Sequence, residues 1–408
     1  MNVTKTEKNL IIVATFIVLY ASTSYFCKNA FSETKNVCLM IIGLLPLVFV
    51  KKVVLKRNVL IAVLLLMLSS IGSSLLAHDD SKLIVYPCVT LLVAFLYVLL
   101  VPLDEFKSAF AKIMVVVAAL SVVVYGIYII LPGFIERFPL ITNTSGNSAY
   151  NLFLVVVTPR HLYRAEGFFW EPGAFQTFIN LAIPIVAFSN SFSHKRTAIC
   201  ILYFALFLTF STTAWLVGIL NAFTILLGRK SNGKNRLVNL AIILSIMIPV
   251  LLVGVQLLPN TLGGATFGME KIRAFLRGTS KNTFDSSSVR FDSVYYPLFL
   301  FFKNPLTGAG YSGMTDLSNI MLHNMLTCTP INYFAMYGVL YGSVIMLCFM
   351  YYCKTFQKGR LITLLLFICL LLSMFSEQYV NYAIIDIFII FGLSYLIERN
   401  WKYDCRRD

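Results

Sequence analysis

Apolar residues along the chain fall into twelve runs, at about 9–26, 37–50, 58–77, 83–103, 113–133, 173–190, 197–210, 213–228, 237–258, 331–353, 361–375 and 382–397. A bilayer core of about 30 Å takes about 20 apolar residues as a helix, and fewer where flanking groups snorkel. Each run therefore predicts a membrane-spanning helix. Runs seven and eight form one apolar stretch of 32 residues, too long for a single span. Lys195 and Arg196 precede the stretch and Arg229, Lys230, Lys234 and Arg236 follow it, so both ends prefer the same side of the membrane. The chain is expected to turn back midway, at Ser211-Thr212-Thr213.

Composition excludes the soluble alternatives. Hydrophobic residues make up 58% of the chain and charged residues 12%, where a soluble domain carries roughly twice that charge. The nine cysteines include no CxxC pair and mostly lie in apolar runs, where a thiol behaves as a small hydrophobe. Only Cys27 and Cys38 flank a short loop, which leaves a bridge there open. A net charge of +15 suggests nucleic acid until its distribution is read. With the N-terminus inside, the segments 1–8, 51–57, 104–112, 191–196, 229–236, 354–360 and 398–408 are cytoplasmic. They hold 21 basic and six acidic residues, and the rest of the chain is neutral. The basic excess is thus topogenic, and no nucleic-acid partner is expected. The first run has no small-residue cleavage site and leads into Cys27-Lys28-Asn29, so no cleaved signal is expected.

Two outer segments, 134–172 and 259–330, are too long for turns, and such loops are usually functional when ordered. The first ends in Arg164-Ala165-Glu166-Gly167-Phe168-Phe169-Trp170-Glu171-Pro172-Gly173, immediately before a span. Pro172 suits a first helical turn, which places Glu171 at the cap. That helix end points outward, where its partial positive charge favours an anion. Glu171 either caps the helix or faces substrate, and Arg164 either pairs with Glu166 or Glu171 or faces substrate. The second segment contains Arg290, an apolar stretch from Val294 to Phe302 expected to form a short helix, then Gly308-Ala309-Gly310-Tyr311, and ends at His323-Asn324. The two glycines read as a turn, and they also permit close backbone approach to a sugar or phosphate. Asp386 lies one turn inside the last span, beside Glu377, Tyr379 and Asn381 on the preceding turn; an ionisable group there is costly unless it faces protein or a wet cavity, so Asp386 either lines a functional cavity or snorkels to the interface. No carboxylate cluster or His/Cys spacing reads as a metal site, and no cofactor is expected.

Taken in order, several elements resemble the bacterial O-antigen polymerase and O-antigen ligase superfamily. They are Arg164 to Pro172 as R-x-x-G-x-x-x-E-P, Ser211-Thr212-Thr213 between paired short spans, Arg290 followed by Asn304-Pro305-Leu306-x-Gly308-x-Gly310, and His323-Asn324 followed by Tyr337-Gly338. The likeness covers roughly residues 160 to 380. It implies an enzyme that moves a glycan from a polyprenyl diphosphate carrier to an acceptor sugar on the outer face of the cytoplasmic membrane. By position, Arg164 and Arg290 resemble the arginines that engage the diphosphate, and His323 resembles the outer-loop histidine needed for transfer. Asn324 and Tyr311 fall among the substrate-binding positions, and Glu171 is a second candidate to accept the acceptor's proton.

The expectation is a single all-α polytopic domain, 1–408, with about twelve spans and two long outer loops forming a cleft, similar to a GT-C-type membrane glycosyltransferase. Its activity would be metal-independent polymerisation of O-antigen or capsular repeat units. Its partners would be a polyprenyl diphosphate-linked oligosaccharide, membrane lipid and a chain-length regulator protein. The ligase that passes glycan to lipid A core shares the donor chemistry, and a glycan flippase or transporter is the reading from another class. The topology predicts that cysteines placed at Ser145, Thr279 and Tyr379 react with an impermeant maleimide from outside. Cysteines at Lys52, Lys234 and Lys402 should be protected, and labelling of this second set would invert the scheme.

Overall fold

A computed structural model describes residues 4–51, 53, 55–142, 146, 148–159, 164–189, 192, 194–228, 286–320 and 326–404. The described chain is mostly helical. In order, the helices are α1 (Lys5–Thr23), α2 (Tyr25–Ala30), α3 (Glu33–Val50), α4 (Arg57–Leu76), α5 (Ser81–Leu100), α6 (Leu103–Ile130), α7 (Pro132–Ile135), α8 (Pro172–Phe188), α9 (Lys195–Leu208), α10 (Thr212–Gly228), α11 (Ser286–Lys303), α12 (Gly310–Ile320), α13 (Thr329–Lys354), α14 (Arg360–Ser373) and α15 (Ala383–Asp404). Eleven of the twelve apolar runs coincide with helices; the run at 237–258 lies outside the described residues. Five helices, α3, α4, α5, α6 and α13, are individually long and apolar enough to cross a membrane, and α8, α10 and α14 are shorter apolar helices. The chain is a multi-pass membrane protein.

The packing separates helices that face lipid from those that face protein. Ile42, Phe49, Leu65 and Leu68 on α3 and α4 are exposed, as expected where hydrocarbon is the solvent. By contrast, α15 is buried from Ile384 to Phe391 and, Asp386 apart, apolar on all sides there, packed on α13, α5, α1 and α4. Phe106, Phe110, Phe388 and Phe391 interlock where α6 meets it, with ring centroids 5.1 to 5.9 Å apart.

Polar contacts at the helix ends sort into two sets. Lys8 pairs with Glu105 at 3.9 Å, Lys56 with Glu398, and Lys107 donates to Thr355 Oγ1 at 2.8 Å. All of these belong to segments the charge pattern puts on one side. Lys28, Asp79, Trp170, Tyr311, Glu377 and Tyr382 meet one another and belong to segments it puts on the other.

Three local details differ from the sequence reading. The sixth helix starts at Leu103 rather than near 113, because Asp104 and Glu105 suit its first turn and Lys107 is buried against Thr355 and the Phe356 ring. The reversal between α9 and α10 occupies Thr209 to Ser211, with Phe210 at φ 45°, and Thr212 and Thr213 are already helical. The first outer segment contains a three-stranded antiparallel sheet, β1 (Leu140–Thr142), β2 (Ser148–Asn151) and β3 (Val156–Val157), in the order β1-β2-β3, with Leu140 opposite Tyr150 and Tyr150 opposite Val157. It gives an outer segment its own backbone hydrogen bonds where no helix supplies them. The expected helix at Val294 to Phe302 is present within α11, and Cys27 and Cys38 are free thiols.

One long helix is broken. Gly338 within α13 has φ 79° and ψ 178°, and the freed backbone is taken up by the 305–309 segment: Val339 N–H donates to Pro305 O and Ala309 N–H to Ala335 O, both at 2.8 Å. Gly308, at φ 73°, and Gly338 approach the opposing main chain so closely that a Cβ on either would strike it, at Met336 O and Leu306 O respectively. The close approach anticipated for Gly308 is therefore to the protein's own backbone. Replacing Gly338 by alanine combines positive-φ strain with that collision and should cost on the order of 2 kcal/mol or more. The check is the melting temperature of the purified protein in detergent, which Gly338→Ala should lower clearly and Gly72→Ala, with open space around its Cβ position, should leave near wild type.

Candidate functional site

The site grows from the short length of α14. Its 14 residues extend about 21 Å as a helix, less than the roughly 30 Å hydrocarbon core. The turn from α14 to α15 is consequently sunk in the bundle: Glu377 is 7% exposed, Tyr379 0% and Asn381 7%. Its backbone is satisfied by α13 and the residue before it. Cys328 N–H donates to Phe375 O at 3.2 Å, Thr329 Oγ1 donates to Glu377 O at 2.6 Å, and Tyr379 N–H donates to Thr329 Oγ1 at 2.7 Å. The burial of Tyr379 also removes it from the labelling set, since a cysteine there would be inaccessible whichever side its segment faces.

The N-terminus of α8 packs on this turn. Pro172 occupies the first helical turn and Glu171 the cap position, as the sequence predicts, but the Glu171 side chain makes no capping bond. It turns instead to Glu377, with which it shares a hydrogen bond. Both carboxyls crowd Gly173, where a Cβ would lie 2.6 Å from Glu171 Oε1 and 2.8 Å from Glu377 Oε1. Trp170 Nε1–H donates to Glu377 Oε2 at 3.0 Å, and Lys28 Nζ lies 4.2 Å from the centroid of the Trp170 ring and 3.5 Å from Tyr382 Oη. Below the carboxyls, Gln176 donates to Ser376 Oγ at 2.8 Å, Asn180 to Gln176 Oε1 at 2.9 Å and Asn221 to Asn180 Oδ1 at 3.1 Å, a polar ladder that ties α8 to the turn after α14 and to α10.

Burial pushes the Glu377 carboxyl well above the usual carboxylate range, and the neighbouring Glu171 raises it further; the Trp170 donor and Lys28 oppose the shift. Two carboxyls in contact cannot both ionise cheaply, so the pair retains a proton that separate carboxylates would lose. Lys28 is affected in the opposite sense. Its desolvation is outweighed by Tyr382, Glu377 and Glu171, which hold its ammonium above the ordinary lysine value. A carboxyl pair that keeps one proton beside a fixed cation can accept or return a proton at an adjacent hydroxyl. Among the described residues no third histidine, cysteine or acidic side chain joins the two carboxyls.

The other expected site residues divide. Tyr311, at the start of α12, is 37% exposed and within electrostatic reach of Lys28, Tyr382 and Glu33. Its backbone position is set by Asp79, whose Oδ2 accepts from Tyr311 N–H at 2.9 Å and whose Oδ1 accepts from Ser312 N–H at 2.7 Å. Although burial opposes it, these donors hold the Asp79 carboxyl below its usual value, which suits a charge at a helix N-terminus. Arg164 goes elsewhere: its Nε donates to Thr209 O at 2.9 Å, and it lines a small cleft with Tyr125, Tyr128, Val156 and Glu166. Two of the resembling elements, Arg164 to Pro172 and the reversal after α9, are thereby joined, as Ala165 N–H also donates to Leu208 O at 2.8 Å. Glu166 is buried and accepts from Thr158 Oγ1 at 2.7 Å. Arg290 lies on the second turn of α11. His323 and Asn324 lie outside the described residues.

Sequence reasoning did not single out Lys28, Asp79 or Trp170, and it noted Glu377 only as a neighbour of Asp386. The available signal was the pair of short runs at 361–375 and 382–397 around a glutamate, which draws the connecting turn inward.

Because the folded protein holds the Glu377 proton more tightly than the unfolded chain does, stability is fully present below the ordinary glutamate range and is lost as pH rises through the raised value. Glu377→Gln should flatten that decline, so its melting temperature in detergent should exceed that of the wild type increasingly toward alkaline pH; parallel curves would remove the shared proton. Comparison of the chain with protein-family models and with curated proteins found no match.

Proposed function

We propose that the chain is a membrane glycosyltransferase that polymerises polyprenyl diphosphate-linked oligosaccharide repeat units into O-antigen or capsular polysaccharide. The observation that carries this reading is that Glu171, within the R-x-x-G-x-x-x-E-P element, is brought onto Glu377 beside Lys28, which supplies a proton-accepting pair and a cation at the same helix end. The reading completes the bundle to about twelve spans in a GT-C-type arrangement, with both termini cytoplasmic in a bacterial inner membrane. A lipid-linked donor then enters sideways beneath the two outer segments, and a chain-length regulator acts as a partner.

A diphosphate is a good leaving group, so transfer depends more on stabilising its charge than on protonating it. Guanidinium groups bind phosphate oxygens in bidentate fashion, the role proposed for Arg164 and Arg290. Loss of one such donor typically costs on the order of 10²- to 10³-fold in rate. The acceptor hydroxyl gives its proton to the Glu171–Glu377 pair or to His323, with Tyr311 and Asn324 binding the glycan.

The test is a gel of surface glycans from a host lacking the gene, complemented with wild type, Glu171→Gln, Arg290→Ala or His323→Ala at matched expression. A polymerase predicts that the deletion stops at core plus one repeat, that wild type restores the ladder, and that the variants restore on the order of a hundredth of it or less. Loss of all capped glycan with polymer retained on its lipid carrier would identify the ligase instead. An unchanged ladder in the deletion would reject both.

A further inference from the structure

Deeper in the bundle than the carboxyl pair, the last helix carries a buried acidic side chain that plays no part in the proposed transfer. Asp386 lies one turn into α15, 3% exposed, and its Oδ2 has no hydrogen-bond partner. Its carboxyl interacts with the Thr90 hydroxyl of α5. Tyr333, Tyr337 and Tyr341 of α13 and Tyr86 of α5 are within its electrostatic reach, and the buried Tyr333 hydroxyl also has no partner. Tyr337 is tied to the α14–α15 turn, because Asn381 Nδ2 donates to its hydroxyl at 3.0 Å.

None of these neighbours carries a positive charge. Of the helices packed on α15, α1 and α4 have their charged residues, Lys5, Glu7, Lys8 and Arg57, in their first turns at the opposite end of the bundle. Lys82 at the start of α5 is exposed, and Lys354 is at the far end of α13. An ionised carboxylate in such surroundings bears a large desolvation penalty without a compensating partner, so the charge has to be neutralised by something small.

The second feature is the break at Gly338, which lies between the two tyrosines nearest in sequence to it on α13, Tyr337 and Tyr341. These two tyrosines bring phenol oxygens within electrostatic reach of Asp386, and a buried carboxylate among such oxygens is where a membrane protein can hold a monovalent cation. We propose that Asp386, Thr90 and the tyrosines around the Gly338 break form a binding site for a small monovalent cation, a proton or a sodium ion. The same break docks the 305–309 segment, through Val339 and Ala335. Occupancy at Asp386 therefore biases how α13 packs on α15 and, reciprocally, the outer segment that leads into Tyr311.

Infrared difference spectroscopy of the reconstituted full-length protein reads the state of this carboxyl directly, with Asp386→Asn subtracted from wild type. At neutral pH in choline chloride, the expected spectrum contains an un-ionised carboxyl band that the variant lacks. If the band disappears on raising pH and is indifferent to sodium chloride, the ligand is a proton; if sodium chloride removes it at constant pH, the ligand is sodium. Absence of the band at every pH, with no response to sodium, would mean an ionised carboxylate with no cation bound and would overturn the proposal. Asp386→Glu, which keeps the acid, should move the band rather than abolish it, and it serves as the comparison should the amide variant fail to fold.

Discussion

Backbone that leaves a helix within a membrane bundle must find its hydrogen-bond partners inside the protein, since hydrocarbon offers none. The half of this molecule away from the basic helix ends is organised around three such places. At Gly338 the released groups of α13 are taken up by the 305–309 segment. At the α14–α15 turn, Cys328 and Thr329 bond the main chain at Phe375, Glu377 and Tyr379. At the end of α9, Arg164 and Ala165 cover the carbonyls of Thr209 and Leu208. Each device pins a connecting segment to a helix end or a helix break, and each lies next to polar side chains that have chemistry to offer.

The sunken turn has the largest consequence. A 14-residue helix leaves its following loop buried within the bundle, which places Glu377 where it is desolvated and where the cap residue of α8 can reach it. Gly173 makes that contact possible, because any larger residue would occupy the space between the two carboxyls. The Trp170 indole then does double duty, donating to Glu377 with its N–H and receiving Lys28 on its ring face, a contact worth about 0.5–2 kcal/mol depending on desolvation. The acid pair, the cation and the aromatic ring are thus a consequence of helix length as much as of residue identity.

Much of the architecture is legible in the sequence because hydrocarbon imposes a simple rule. Runs of apolar residues must be helices of about the bilayer's thickness, and basic residues mark one side; eleven of the runs and the two sets of helix-end contacts follow from that alone. Pro172 after Glu171 likewise announced a helix start. Local spacing also pointed to a reversal after α9, placed two residues late because Phe210, not a serine or threonine, adopts the left-handed conformation.

What only the tertiary structure decided is which distant groups share a site. Glu171 and Glu377 are separated by more than two hundred positions, and Asp79 meets Tyr311 across a similar gap. Neither pairing leaves a periodic trace, because each depends on how far a helix rises before its chain turns. The same holds for Gly308 and Gly338, whose positive φ is required by two backbones pressed together rather than by any turn signature of their own. A sequence specifies the solvent each segment prefers; proximity of carboxyl to carboxyl, and of Asp386 to the tyrosines of α13, arises only once the helices have packed and their unequal lengths have set the depth of every connecting turn.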